Sequence, residues 1–133
     1  MRVLVHVDGG ARGNPGPAAA AAVISTPEGE VLDEAMEVLG EQTNNVAEYR
    51  GLLLGLRRAR DLGATEVDVI NDSELIAKQL TGAYKVKHAG LRPLYIEAMR
   101  ELREFERWSV RSVPRAQNAH ADALVNQALD AVA

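Results

Sequence analysis

The chain has 133 residues, close to the commonest size of one folded unit, with no cysteine and a net charge of −4. Disulfides, thiolate catalysis and cysteine-bound zinc are thereby excluded, and no apolar run reaches membrane-spanning length. An acidic balance speaks against a general nucleic-acid binder, which is usually basic, unless several of the acids belong to one metal site whose cations cancel them. With no charged-then-apolar signal segment at its start, the chain is expected to be cytoplasmic.

Val3, Val5 and Val7 share one face of an opening strand whose other residues are also mostly apolar, the pattern of a central strand covered on both sides. Asp8 is expected at its carboxyl end, where open α/β sheets place their ligands. Gly9 to Pro17 is a glycine- and proline-rich turn that lacks the Gly-Lys-Ser/Thr ending of a nucleotide-binding loop. Ala18 to Ser25 and Glu30 to Leu39 read as strands joined by the hairpin signal Thr26-Pro27-Glu28-Gly29. The alanine run 18–22 favours helix by propensity, but the flanking turns and Val23-Ile24 favour strand. Asn45 is the expected N-cap of a helix running to about Leu62, with Glu48 as its capping-box partner and Gly63 closing it. Glu48, Leu52, Gly55 and Ala59 recur at helical spacing and should face the sheet. Gly51 and Gly55 each cost roughly 1 kcal/mol inside a helix, which is explained if this helix packs very close to the first strand.

Glu66 to Ile70 is the next strand; it ends at Asn71-Asp72-Ser73, and a short helix follows to about Leu80. Strand, crossover helix and strand imply parallel neighbours, which puts Asp72 beside Asp8 at one edge of the sheet. Thr81 to Gly90 is a loop carrying Tyr84, Lys85, Lys87 and His88. Leu91 to Arg107 reads as a long charged helix and Trp108 to Val113 as a last strand, stopped by Pro114. Asn118 is expected to cap a final helix with the apolar stripe Ala121, Leu124, Val125, Ala128, Leu129 and Val132, and Asp122 lies in its first turns.

The order β-β-β-α-β-α-α-β-α, with acids at Asp8, Glu48, Asp72 and Asp122, resembles ribonuclease H of the bacterial type 1 group. The matching motifs are Asp8-Gly9-Gly10 with Gly13-Asn14-Pro15-Gly16, the segment Thr43 to Tyr49, Asn71-Asp72-Ser73, and Asn118-Ala119-His120-Ala121-Asp122. In this order and at these spacings they cover essentially the whole chain. The resemblance implies an α/β, ribonuclease H-like fold: a five-stranded mixed sheet with helices on both faces, forming a single domain over residues 1–133. It implies an endonuclease that cuts the RNA strand of RNA–DNA hybrids with two metal ions, leaves 3′-OH and 5′-phosphate ends, and acts as a monomer away from membranes. Double-stranded RNA stays open as a second substrate. Asp8 would then bridge two Mg²⁺ ions, with Mn²⁺ able to substitute, and Glu48, Asp72 and Asp122 would complete the shells. Gly9, Gly10, Asn14, Asn44 and Asn45 match positions that bind the hybrid.

The residues support the same chemistry independently. Each acid alone has a structural reading, as a turn, cap or first-turn residue. Four converging carboxylates instead repel one another and raise at least one pKa, a cost that divalent cations remove. Oxygen donors suit Mg²⁺ or Mn²⁺ better than zinc. Two such ions ~4 Å apart clamp both oxygens of a phosphodiester displacement, so no serine, cysteine or histidine nucleophile is needed. Two departures from the family pattern stand out. The basic helical insertion of many relatives is replaced by Thr81 to Gly90, where Lys85 and Lys87 are the candidates to meet DNA-strand phosphates. The segment Ser112 to Gln117 holds no histidine where many relatives carry a mobile one. His6, Tyr84 and Trp108 read as structural. The alternatives are a catalytically weak or inactive hybrid-binding module, the nuclease domain of a larger protein, another nuclease or strand-transfer enzyme of the same superfamily, or a plain structural domain.

Overall fold

The computed structural model describes residues 1–132. Five strands, β1 (Arg2–Ala11), β2 (Gly16–Ser25), β3 (Val31–Gln42), β4 (Glu66–Asn71) and β5 (Arg107–Ser112), form one sheet in the order β3-β2-β1-β4-β5. The β1–β2 and β2–β3 pairs are antiparallel, whereas β1–β4 and β4–β5 are parallel, so the sheet is mixed as expected. The helices are α1 (Asn44–Asp61), α2 (Glu74–Leu80), α3 (Arg92–Arg103) and α4 (Ala119–Ala131).

Alternation along the strands divides the core between the two faces. Val3, Val5, Val7, Ala22 and Ile24 meet Leu52 and Leu56 of α1, and Ala98 and Leu102 of α3 join the same cluster. Ala19, Ala21 and Val23 point the other way, under Leu124, Val125 and Ala128 of α4. The alanine run is therefore strand, with every member at most 1% exposed. Side chains this small let a helix settle on each face. The close approach anticipated for α1 is present: a Cβ on Gly55 would stand 2.7 Å from Val5 Cγ1, and one on Gly51 would stand 2.4 Å from the Asp8 carbonyl oxygen. No larger residue fits at either place without moving α1 off β1.

Several boundaries differ from the sequence reading. β1 does not end at Asp8 but runs on to Ala11, because β2 keeps pairing with it through Ala11↔Ala18. β3 starts at Val31, one residue later than read, and continues past Leu39 to Gln42: Gly40, at φ +72°, follows a bulge that lets pairing with β2 resume. The cap of α1 is Thr43, whose Oγ1 accepts from Val46 N–H, and not Asn45, which is the second helical residue. Glu48 is therefore too far into the helix to close a capping box. The long charged helix stops at Arg103, since Phe105 turns into the core and Glu106 N–H bonds to Thr65 O, starting β5 at Arg107. Asn118 precedes α4 without capping it: its Nδ2 donates to Val7 O at 2.9 Å.

Candidate active site

The parallel pairing of β1 with β4 ends at His6↔Ile70. Asp8 and Asp72 each come two residues later, where the two chains diverge and leave a gap in the sheet. β1 is held past that point by β2 alone, so Asp8 stands on rigid backbone beside the opening. Its neighbour Gly9 lies so close to α1 that a Cβ would stand 2.1 Å from Ala47 O. That contact brings the first turns of α1, and Glu48 with them, against β1. Asp122 comes from the first turn of α4, on the opposite face of the sheet. Asn118 fixes that approach by bonding to Val7 O, one residue before Asp8.

All four acids line one cleft of about 400 Å³, together with Gly9, Gly10 and Asn44. The electrostatics are those of crowded carboxylates. Asp8 is 8% exposed, and burial, then Asp72, pushes its pKa from 3.8 up to about 8. Burial raises Glu48 to about 7, against a bond from Ser73 that opposes the shift. Asp72 is raised too, first by burial, with Arg115 acting against it. Glu48 Oε2 is buried with no hydrogen-bond partner. A buried orphan oxygen beside three other carboxylates fits a hard divalent cation, which takes oxygen donors and relieves their repulsion. Among the described residues, no three acidic or histidine side chains are already drawn round one point as a ligand shell.

The remaining expected residues divide into two groups. Asn14 and Asn44 belong to the rim: Asn44 Oδ1 accepts from Ala11 N–H at 2.8 Å, and Asn14 Oδ1 accepts from Asn44 N–H at 3.1 Å. These bonds tie the β1–β2 turn to the start of α1, where Asn45 is the next residue. Lys85 and Lys87 are not brought to the cleft. They are exposed and line a separate groove with Tyr84, Arg92, Tyr95 and Ile96.

Sequence reading missed two arginines on the cleft wall. Arg115 Nη2 donates to Asp122 Oδ1 at 3.0 Å, and Arg12 Nη2 donates to Asp130 Oδ1 at 2.6 Å. The sequence carries a signal for Arg115: it is a cation seven residues before Asp122, in the segment that precedes the last acid. Nothing local marks Arg12, whose partner is 118 residues away.

Residues 6–128 match the model of the family described as reverse transcriptase-like. The bifunctional protein Rv2228c of Mycobacterium tuberculosis is 49% identical over 100% of this chain. The chain spans 37% of that protein's length. The crystal structure of RNase H1 from the halophilic archaeon Halobacterium salinarum superposes with a TM-score of 0.95 at 43% identity, covering 98% of each chain. LC11-RNase H1, solved in complex with an RNA/DNA hybrid, gives a TM-score of 0.93 at 40% identity and 98% coverage of both chains. The chain belongs to the reverse transcriptase-like family and has the ribonuclease H-like fold.

Proposed function

We propose that the protein is an endoribonuclease of the bacterial type 1 ribonuclease H group. It hydrolyses the RNA strand of RNA–DNA hybrids with two divalent cations and leaves 3′-OH and 5′-phosphate ends. The observation that carries this reading is the cleft: four carboxylates from four segments, two of them raised to about 8 and about 7, and one buried oxygen without a partner. Such a set is costly unless cations complete it. The hybrid comes from the relatives, one of which is solved with an RNA/DNA hybrid bound.

Asp8, Glu48, Asp72 and Asp122 would hold two Mg²⁺ ions, or Mn²⁺ in their place. Bound there, the cations supply a water acidic enough to attack at neutral pH and stabilise the leaving oxygen. The rest falls to the chain. Asp8 and Glu48 would release protons as the site loads, because their raised pKa values leave Asp8 mostly and Glu48 about half protonated in the metal-free protein near neutrality. Asp122 parts from, or shares, the guanidinium of Arg115. Gly9 and Gly10 offer a backbone wall without side chains. Asn14, Asn44 and Asn45 provide the small donors and acceptors that a 2′-OH requires, which distinguishes RNA from DNA. Lys85 and Lys87 meet phosphates of the DNA strand. The protein works as a cytoplasmic monomer; among the described residues no helix is long and apolar enough to cross a membrane.

The test is cleavage of an end-labelled RNA presented in a hybrid, in duplex RNA and single-stranded, with Mg²⁺ or with EDTA. Cutting of the hybrid in Mg²⁺ alone is expected. Cutting in EDTA, or failure to cut the hybrid while other RNAs are cut, would contradict the proposal.

A further inference from the structure

We propose that Arg12 is a substrate-positioning residue: it binds a phosphate of the RNA strand about three nucleotides from the scissile one, with Asp130 holding its guanidinium in place. This rests on the hybrid-cleaving reading of the same cleft.

The first support is the way Arg12 is mounted. Its N–H donates to Pro17 O at 2.8 Å, and a Cβ on Gly16 would stand 2.1 Å from its carbonyl oxygen. Ala11, just before it, is bonded to Asn44, and Asn14, two residues after it, is bonded to the Asn44 backbone. The turn that carries Arg12 is thus fixed to the cleft from both sides.

The second support is that stability does not account for the ion pair. The Arg12 and Asp130 side chains are 43% and 70% exposed, and pairs so exposed contribute little to folding. Asp130 also stands in the last turn of α4, where the helix dipole disfavours an acid. The pair does, however, place a cation. It uses one N–H of the guanidinium, and the other donors remain for a second anion.

The third support is position. Asp122 and Asp130 are eight residues apart on α4, about 12 Å along its axis at 1.5 Å per residue and about 80° round it. One strand of a duplex rises about 3.4 Å per nucleotide along the duplex axis, so a duplex lying along α4 covers that span in roughly three nucleotides. Val125 and Leu129 line the cleft between the two acids, an apolar floor for the sugars of the intervening nucleotides. Arg12 therefore addresses the run of the RNA strand and not the reacting phosphate.

The experiment measures KM and kcat on a fixed hybrid at several salt concentrations, for the parent protein and for Arg12→Ala, Arg12→Lys and Asp130→Asn. Binding of labelled hybrid to each protein in EDTA is followed alongside. Losing a charge-assisted phosphate bond should raise KM about tenfold, with kcat falling less than about twofold. The plot of log KM against log salt should flatten by somewhat less than one unit in Arg12→Ala. Arg12→Lys should keep the slope, because the charge survives. Asp130→Asn should raise KM by about two- to threefold, through a less ordered guanidinium, and keep the slope. If the parent cuts hybrid and Arg12→Ala keeps its KM and slope, this proposal is overturned and the nuclease reading stands. Equal loss of slope in Arg12→Lys and Arg12→Ala would also overturn it. If the parent neither binds nor cuts hybrid, the nuclease reading fails and this proposal falls with it.

Discussion

Replacing Asp8 by asparagine should stabilise the metal-free protein, and by an amount that grows with pH. The side chain is buried, and its pKa rises from 3.8 to about 8. Between those values the folded protein holds a proton that the unfolded chain gives up, so folding stability falls as pH rises from about 4 to about 8. Each unit of that interval is worth about 1.4 kcal/mol. At pH 7 the interval above 3.8 is about three units, which sets a ceiling of ~4 kcal/mol. Relaxation and water entry reduce it, giving an expected gain of about 2–4 kcal/mol for Asp8→Asn at pH 7. That is a large share of a total stability of roughly 5–15 kcal/mol. Near pH 4 the gain should be small, because the unfolded carboxyl is itself close to half protonated there, and it should vanish only well below 3.8. Urea unfolding of both proteins in EDTA, at pH 4.5, 6 and 7.5, reads the difference directly. Added Mg²⁺ should narrow or reverse the gap, since only the parent keeps the full ligand set. A stability difference that does not grow with pH, or an Asp8→Asn protein less stable than the parent at pH 7.5, would refute the claim that this carboxylate is held at a cost.

Thr43→Ala should cost about 1 kcal/mol by removing the cap of α1, whereas Asn45→Ala should change stability by less than about 0.5 kcal/mol and raise KM for hybrid, as kinetics beside thermal melts would reveal. Arg115→Ala should let Mg²⁺ bind about two- to fivefold more tightly in calorimetry, because Asp122 no longer has to leave an ion pair; unchanged affinity would mean that the pair opens without cost. The double change Lys85→Ala, Lys87→Ala should raise KM at moderate salt and flatten its salt dependence by somewhat less than one unit per lost phosphate contact. An identical slope would mean that the groove beside Tyr84 does not meet the substrate.

Much of this architecture was legible because its causes are local. Alternating valines, the Thr26 to Gly29 turn and the glycines of α1 act over a few residues, and the sheet order follows once strand, helix and strand are recognised. The four acids were legible because each lies in a motif of its own. What local patterns could not supply was the choice between adjacent candidates. Thr43 and Asn45 are both good caps, and only the chain's path off β3 decides for Thr43. Asp8 looked like a strand end because glycines follow it, yet β2 supplies partners through Ala11. Asn118 has the composition of a cap, but a carbonyl of β1 claims its amide. Arg12 and Arg115 acquire meaning only when α4 is laid across the sheet. These are long-range contacts, and no window of neighbouring residues contains them.

The central claim is that the acids of this cleft perform the hydrolysis. The direct measurement is single-turnover cleavage of a hybrid in saturating Mg²⁺ by Asp72→Asn, with circular dichroism and melting temperature recorded on the same samples. Asp72 lies just past β4 and is only half-buried, so the fold should be intact and the melting temperature equal to or above that of the parent. The rate should fall by a factor on the order of 10³ or more, because several kcal/mol of charge stabilisation at the reacting phosphate goes with the carboxylate. A folded Asp72→Asn protein that still cuts the RNA strand at near the parent rate would contradict the account.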